Sequence, residues 1–130
     1  MGNSNLSLML IEDSFDIGDW IRQSITSIDG IDFSEWILRG GDALEKIDKG
    51  KPDILVLDLR LPDANGLEIL RSIRKENNKP LIIVFTINEQ AKERALSLGA
   101  DYFFNKATED QEFLKAVETI ARLNKNRIII

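Results

Sequence analysis

Short apolar segments alternate with segments of helical spacing along the chain. The apolar segments are rich in Ile, Leu and Val and are bounded by polar or turn residues. This pattern predicts strands at Leu6–Ile11, Phe33–Leu38, Ile54–Leu57, Leu81–Phe85 and Tyr102–Phe104. The third and fourth segments have no polar alternation, which is typical of strands covered on both faces, as in a parallel sheet.

The segments between the strands predict helices. Three of them carry apolar residues at helical spacing, at Ile17, Ile21, Ile25 and Ile28, at Leu67, Leu70 and Ile73, and at Phe113, Val117 and the adjacent pair Ile120 and Ala121. A shorter helix is marked by Ala43, Leu44 and Ile47. Another covers Glu89 to Leu98 and ends at Gly99.

The order of elements is βαβαβαβαβα, which predicts an α/β fold. We expect a five-stranded parallel sheet, doubly wound, with helices on both faces and right-handed crossovers. One domain covers residues 6–124, and residues 1–5 and 125–130 are expected to be flexible ends.

The composition excludes several classes of function. With no Cys and no His among 130 residues, the chain has no disulfide, no thiol nucleophile and no imidazole base. Any metal site must therefore use oxygen ligands, which suit magnesium, calcium or manganese. The net charge of −5 argues against direct nucleic-acid binding. No apolar run is long enough to cross a membrane and no export signal is visible, so we expect a cytoplasmic protein.

Polar side chains end four of the predicted strands. They are Glu12 and Asp13, Asp58, Thr86, and Asn105 with Lys106. In a doubly wound sheet the carboxyl ends of the strands form the ligand-binding edge, so three acids, a hydroxyl and an ammonium should meet there.

The chemistry of such a group is specific. Neighbouring carboxylates repel one another, and a hard divalent cation relieves that repulsion. A carboxylate can also attack phosphorus to give an aspartyl phosphate. Lys106 would attract the incoming anion and Thr86 would donate a hydrogen bond to it, and positioning with charge neutralisation is most of what phosphoryl transfer requires.

The order of Glu12-Asp13, Asp58, Thr86 and Lys106 resembles the receiver domains of two-component response regulators. The resemblance extends from about Leu6 to Leu123, and its most specific part runs from Asp58 through Pro62 to Gly66. It implies a CheY-like, flavodoxin-like fold.

The resemblance also implies roles for individual residues. Asp58 matches the phospho-acceptor and acts with Thr86 and Lys106. The implied cofactor is Mg2+, held by Asp13 directly, by Glu12 through water, by Asp58 and by the backbone carbonyl of Arg60. A further match is Phe103, the aromatic residue that swings inward on switching. Separately, we expect Arg60 and Asn88 to flank the phosphoryl group and to set its lifetime.

Two positions depart from the family pattern. Ile87 replaces a small residue and is expected to crowd Thr86. Ala107 replaces the proline after Lys106, so a cis bond there is improbable because it would cost about 3 kcal/mol.

The resemblance implies a signalling switch rather than a conventional enzyme. A histidine kinase or histidine phosphotransferase would supply the phosphoryl group, and the domain would catalyse its own phosphorylation and slow dephosphorylation. A downstream protein partner would read the surface of the helix after Thr86, the fifth strand and the last helix. A docking face for the donor is expected at Phe15, Ile17 and Trp20. No membrane contact is implied, and a monomer or weak dimer is expected.

Three alternatives stand beside this interpretation. A haloacid dehalogenase-type phosphatase also uses a strand-end Asp, but it needs a second acid two residues later, where this chain has Arg60. A protein-binding module could use a degenerate receiver without phosphate. A flavodoxin-like cofactor binder would need a phosphate loop after the first strand, and none is visible there.

Overall fold

The computed structural model describes residues 5–75 and 79–127 and contains a five-stranded parallel sheet. The strands are β1 (Leu6–Ile11), β2 (Ile31–Ile37), β3 (Ile54–Leu57), β4 (Leu81–Thr86) and β5 (Tyr102–Asn105). Their order in the sheet is β2-β1-β3-β4-β5. The order reverses direction between β1 and β3, which is where ligands bind in sheets of this kind.

Five helices connect the strands: α1 (Phe15–Thr26), α2 (Ala43–Gly50), α3 (Gly66–Arg74), α4 (Lys92–Ser97) and α5 (Asp110–Arg127). Short 3-10 turns at Gly40–Asp42 and Glu89–Ala91 lead into α2 and α4. A hairpin of two two-residue strands, Arg60–Leu61 and Ala64–Asn65, lies between β3 and α3. No helix in the described ranges is long and apolar enough to cross a membrane.

Local side-chain chemistry sets where two helices begin. Ser14 precedes α1, and its hydroxyl accepts a hydrogen bond from the Ile17 N–H. Asn65 precedes α3, and its side-chain oxygen accepts one from the Leu67 N–H. Both are N-caps, which satisfy N–H groups that a helix leaves free at its first turn.

The sheet divides the apolar core into two layers. On one face α1 and α5 pack through residues that include Ile21, Ile25 and Phe113. On the other face α2, α3 and α4 pack through residues that include Ile47, Leu70 and Ala95. β3 and the first five residues of β4 contribute side chains to both layers, and all four residues of β3 are buried. The predicted fold class is therefore confirmed.

Several predicted boundaries need correction. β2 begins at Ile31, not Phe33, because Ile31 pairs with Leu6 of β1, and it ends before Leu38, which is 42% exposed. The predicted helix from Glu89 is a 3-10 turn followed by the short α4. Leu44 is 44% exposed and faces away from the core that Ala43 and Ile47 join.

The chain ends also differ from the sequence expectation. α5 continues to Arg127, past the boundary expected at residue 124, and Lys125 forms an ion pair with Asp29 that joins α5 to the turn after α1. The expectation of flexible ends otherwise falls on residues 1–4 and 128–130, which lie outside the described residues.

Candidate functional site

Strand register brings the first two acids together. Ile11 of β1 pairs with Leu57 of β3, so Glu12 and Asp58 leave the sheet at the same level. The Asp58 N–H donates to the Ile11 carbonyl at 3.1 Å, which extends the ladder to the residue that carries the carboxylate. Glu12 is 1% exposed and Asp58 is 3% exposed. Two carboxylates are therefore buried side by side at the carboxyl edge.

Lys106 lies between these two carboxylates. Its Nζ is 3.1 Å from both Glu12 carboxylate oxygens and 3.0 Å from Asp58 Oδ2. The lysine side chain is only 12% exposed, so little water screens these contacts. Buried carboxylates need a cation or hydrogen-bond donors to be tolerated, and Lys106 provides both.

The proton affinities reflect this competition. Burial raises the pKa of Glu12, and the nearby negative charge of Asp58 raises it further, while Lys106 acts in the opposite direction. For Lys106, burial alone would lower the pKa. The hydrogen bonds and charges of Asp58 and Glu12 outweigh burial, so the pKa of Lys106 is raised and the ammonium is held in its charged form.

A third acid completes the cluster. Asp13 is exposed, and carboxylate oxygens of Glu12, Asp13 and Asp58 all lie within 4.8 Å of one another. Three carboxylates and one ammonium leave a formal charge of −2 at the site. This all-oxygen donor set with uncompensated negative charge suits a hard divalent cation, and the residues present therefore fit one.

The loops after β1 and β3 orient the carboxylates from the backbone. The Ser14 N–H donates to Glu12 Oε2 at 3.1 Å, and the Arg60 N–H donates to Asp58 Oδ1 at 3.2 Å. After the hairpin, the chain at Gly66 passes close to the backbone of Leu59, next to Asp58. A Cβ at Gly66 would lie 2.5 Å from the Leu59 Cα, so only glycine, which has no Cβ, permits this approach.

The fourth and fifth strands deliver the remaining predicted residues. Thr86 pairs with Asn105, and the Lys106 N–H donates to the Thr86 carbonyl at 3.1 Å. Thr86 is fully buried, and its Oγ1 accepts a hydrogen bond from the Asn88 N–H at 3.4 Å. That bond uses an oxygen lone pair, so the O–H can still donate.

The two positions that depart from the family pattern lie just after β4 and β5. Ile87 is 50% exposed, so half of its surface lies in solvent. Its crowding of the path of Thr86 stays a prediction. The described residues contain no cis peptide bond, as expected with Ala107 in place of proline. Instead the Ala107 N–H donates to Asn105 Oδ1 at 2.8 Å, a bond that proline could not make.

Beside the acid cluster lies an open depression. Its lining includes Asp13, Arg60 and Asn88, together with Leu61 and Pro62 of the hairpin. Arg60 and Asn88 thus line the same depression as Asp13. That they flank a phosphoryl group stays a prediction. Its open shape leaves room for a small phosphodonor or for a side chain of another protein.

The aromatic residues singled out in the sequence lie outside the acid cluster, in the two core layers and on the surface of α1. Phe103 is 7% exposed and packs in the layer of α2 to α4, whereas Phe104 joins the opposite layer, so the two face opposite sides of β5. Trp20 is a partly buried core residue, stacked 6.4 Å from Phe85. Phe15 is 69% exposed, so of the expected docking face it presents the largest free surface.

Sequence reasoning missed one residue at this site. The Trp36 indole N–H donates to the backbone carbonyl of Glu12 at 2.9 Å. The residues around Trp36 do not indicate this hydrogen bond, because its partner Glu12 lies 24 residues earlier in the chain. Only the pairing of β1 with β2 brings the two together.

Comparisons with known proteins agree on one family. The family model described as the response regulator receiver domain matches residues 8–118. The chain is 30% identical over 124 residues to the response regulator ArlR of Staphylococcus aureus, covering 95% of this chain and 56% of that protein. It is 30% identical over 128 residues to a protein-glutamate methylesterase/protein-glutamine glutaminase of Treponema denticola, covering 92% of this chain and 34% of that protein.

Solved structures show the same fold. A LuxR-family two-component response regulator from Aurantimonas sp. has a TM-score of 0.81 at 27% identity, covering 92% of this chain and 86% of that one. The response regulator domain of Thermotoga maritima CheB has a TM-score of 0.79 at 21% identity, covering 94% and 97%.

The sheet order and the acid–lysine cluster define a signalling domain of the two-component class. The chain belongs to the response regulator receiver domain family, whose members act in phosphorelay signalling. It spans only 34% and 56% of the two curated relatives named above. The phosphatase and flavodoxin-like alternatives are set aside by this membership.

Proposed function

We propose that this receiver domain accepts a phosphoryl group on Asp58 and thereby switches a protein-binding surface. The observation that carries the proposal is the buried bridge of Lys106 between Glu12 and Asp58, with Asp13 within reach of both acids. The proposed functional unit is the domain predicted at residues 6–124, extended to Arg127 by the end of α5. The cytoplasmic location expected from the sequence stays a prediction.

In this proposal a carboxylate oxygen of Asp58 attacks phosphorus. A P–O bond forms as the bond from phosphorus to the donor nitrogen or oxygen breaks, and the leaving group departs with the bonding electrons. Two hydrogen bonds hold the nucleophile in one orientation, from the Arg60 N–H to Oδ1 and from Lys106 to Oδ2. Fixing the nucleophile before the reaction removes part of the entropic barrier.

Lys106 and Thr86 then serve the transferred group. The ammonium of Lys106 can pair with a phosphoryl oxygen, and the Thr86 hydroxyl can donate to another. The positive charge of Lys106 and the hydroxyl donor of Thr86 are already in place before the reaction, at an edge of the sheet from which water is largely excluded. Such preorganised electrostatic stabilisation is the main contribution that proteins make to phosphoryl transfer.

Glu12, Asp13, Asp58 and the Arg60 carbonyl are the residues that would hold Mg2+. When bound there, the ion neutralises negative charge on the phosphoryl oxygens and on the acids. The charge of −2 at the cluster supports this assignment.

The proposed donor is a phosphohistidine on a histidine kinase or histidine phosphotransferase. The given chain contains no histidine, so it cannot carry that phosphohistidine itself. Relatives that carry response-regulator names support a relay partner of this class. A downstream protein would read the face formed by α4, β5 and α5. We propose a signalling role, in which self-catalysed phosphotransfer and slow dephosphorylation are the only chemistry.

Incubation with acetyl phosphate, followed by intact-mass measurement, tests the proposal. We expect one phosphoryl adduct that requires Mg2+ and is lost in Asp58→Asn. The matched control is Asp63→Asn, the same chemical change five positions away and outside the acid cluster. No adduct on a folded wild-type protein would contradict the proposal and favour the phosphate-independent binding module.

A further inference from the structure

One hydrogen bond holds the peptide that joins two of the acids. The Trp36 indole N–H donates to the Glu12 carbonyl at 2.9 Å, and that carbonyl belongs to the planar peptide between Glu12 and Asp13. Its orientation therefore fixes the direction in which the chain enters Asp13. Trp36 comes from β2, so the bond ties the acidic loop to a strand beside β1.

The surroundings are shaped for this indole. A Cβ at Gly18 would lie 1.9 Å from Trp36 Cζ2, so the ring occupies the space that any larger side chain on α1 would fill. Phe15 packs edge-on against the same ring, with 5.4 Å between centroids. The ring thus has contacts on α1 and a hydrogen bond to the acidic loop.

Asp13 depends on this arrangement more than its neighbour does. The Glu12 carboxylate is held by Lys106 and by the Ser14 N–H. In the part of the chain that the structure describes, the Asp13 side chain is exposed and has neither a hydrogen bond nor an ion pair. Its carboxylate is therefore placed by its backbone alone.

We propose that Trp36 is a positioning residue for cation binding, which acts by holding the Glu12–Asp13 peptide so that Asp13 faces the acid cluster. This inference rests on the proposed function, because it takes Asp13 to be a ligand of Mg2+. Without the indole N–H, the peptide can rotate, and only a fraction of molecules present all three acids together. The apparent affinity for the cation falls by that fraction.

The variant Trp36→Phe removes the N–H and keeps an aromatic ring. The matched control is Trp20→Phe, since in the described residues Trp20 makes ring contacts with Phe85 and Phe113 and no hydrogen bond. Calorimetric titration with Mg2+ alone should show about fivefold weaker binding for Trp36→Phe, the factor that corresponds to one neutral hydrogen bond. Trp20→Phe should stay within about twofold of the wild type.

A wild-type measurement keeps the inference testable if Trp36→Phe does not fold. During a Mg2+ titration followed by 15N NMR, we expect the Trp36 indole N–H resonance to shift with saturation while that of Trp20 does not. An unmoved Trp36 resonance, equal Mg2+ affinity in Trp36→Phe and wild type, or equal weakening by both tryptophan variants would overturn the inference. A wild type that binds no Mg2+ would instead overturn the proposed function, and the inference with it.

Discussion

Replacing Lys106 with Met should both destabilise the protein and increase its response to Mg2+. The substitution removes the cation that lies 3.0 Å from Asp58 Oδ2 and 3.1 Å from both oxygens of Glu12, while keeping most of the apolar stem. The formal charge of the cluster changes from −2 to −3.

The size of the effect follows from burial. Removing one partner of a buried ion pair costs about 3–5 kcal/mol, because the other partner is left charged and unpaired. We expect the lower end, about 3 kcal/mol, because Glu12 already has a raised pKa and can take up a proton in response. For a domain of this size that corresponds to a fall in melting temperature of about 10 °C.

Urea unfolding in EDTA and in Mg2+ measures both the loss of stability and the change in the response to Mg2+. We expect Lys106→Met to have a lower free energy of unfolding than the wild type in EDTA, and this difference to shrink in Mg2+. The divalent cation replaces the lost positive charge, and in the variant it no longer competes with the ammonium for the acids. Lys49→Met is the matched control. Lys49 pairs with Glu45 on the surface, where both side chains are mostly exposed, and its loss should cost less than about 1 kcal/mol.

Two results would refute this reasoning. One is a Lys106→Met protein as stable as the wild type in EDTA. The other is an equal gain in stability from Mg2+ in both proteins, since that would mean that Lys106 and the cation do not share the acids.

Three further predictions concern residues that support the site and the core. Asp63→Asn should lower stability at neutral pH: hydrogen bonds from the Gly41 and Gly40 N–H groups hold the pKa of Asp63 below 3.8, so its contribution is present above that value and lost as pH falls through the folded pKa. The difference between wild type and variant in thermal melts should therefore vanish in strong acid. Gly66→Ala should destabilise the protein and weaken Mg2+ binding, because its Cβ would meet the backbone 2.5 Å away. Phe113→Ala should cost about 3–5 kcal/mol in urea unfolding, because a fully buried ring is lost.

Each of these has a contrary outcome. A stability difference for Asp63→Asn that persists unchanged below its folded pKa would mean that the carboxylate charge is not what matters. Normal Mg2+ binding by Gly66→Ala would show that the hairpin can relax without moving the site. A cost below about 1 kcal/mol for Phe113→Ala would mean that the layer of α1 and α5 closes around the cavity.

The sequence predicted what depends on local pattern. Ile54–Leu57 and Leu81–Phe85 are unbroken apolar runs, so β3 and β4 were located within a residue. The positions of Asp58 and Thr86 follow from where those runs end. The start of β2 was misplaced because the polar Asp32 separates Ile31 from Phe33, and because that start is set by pairing with β1 rather than by the composition of β2 itself.

What the sequence could not supply is contact between distant segments. Lys106 meets Glu12 across 94 positions and Trp36 meets Glu12 across 24, and both contacts depend on strand order and register. For the first pairing, the strand ends predicted only that Lys106 and Glu12 lie at the same edge of the sheet, and not that they are in contact. Nothing in the sequence indicated the contact between Trp36 and Glu12, because a tryptophan in a strand is equally consistent with a residue that only packs against its neighbours.

Phosphorylation of Asp58 in particular can be tested chemically. Treating the acetyl phosphate product with borohydride reduces an aspartyl phosphate to homoserine, which peptide mass spectrometry can locate. We expect homoserine at position 58 alone and only in samples that contained Mg2+. Homoserine at Asp13 or Asp63, or a product independent of Mg2+, would contradict this expectation.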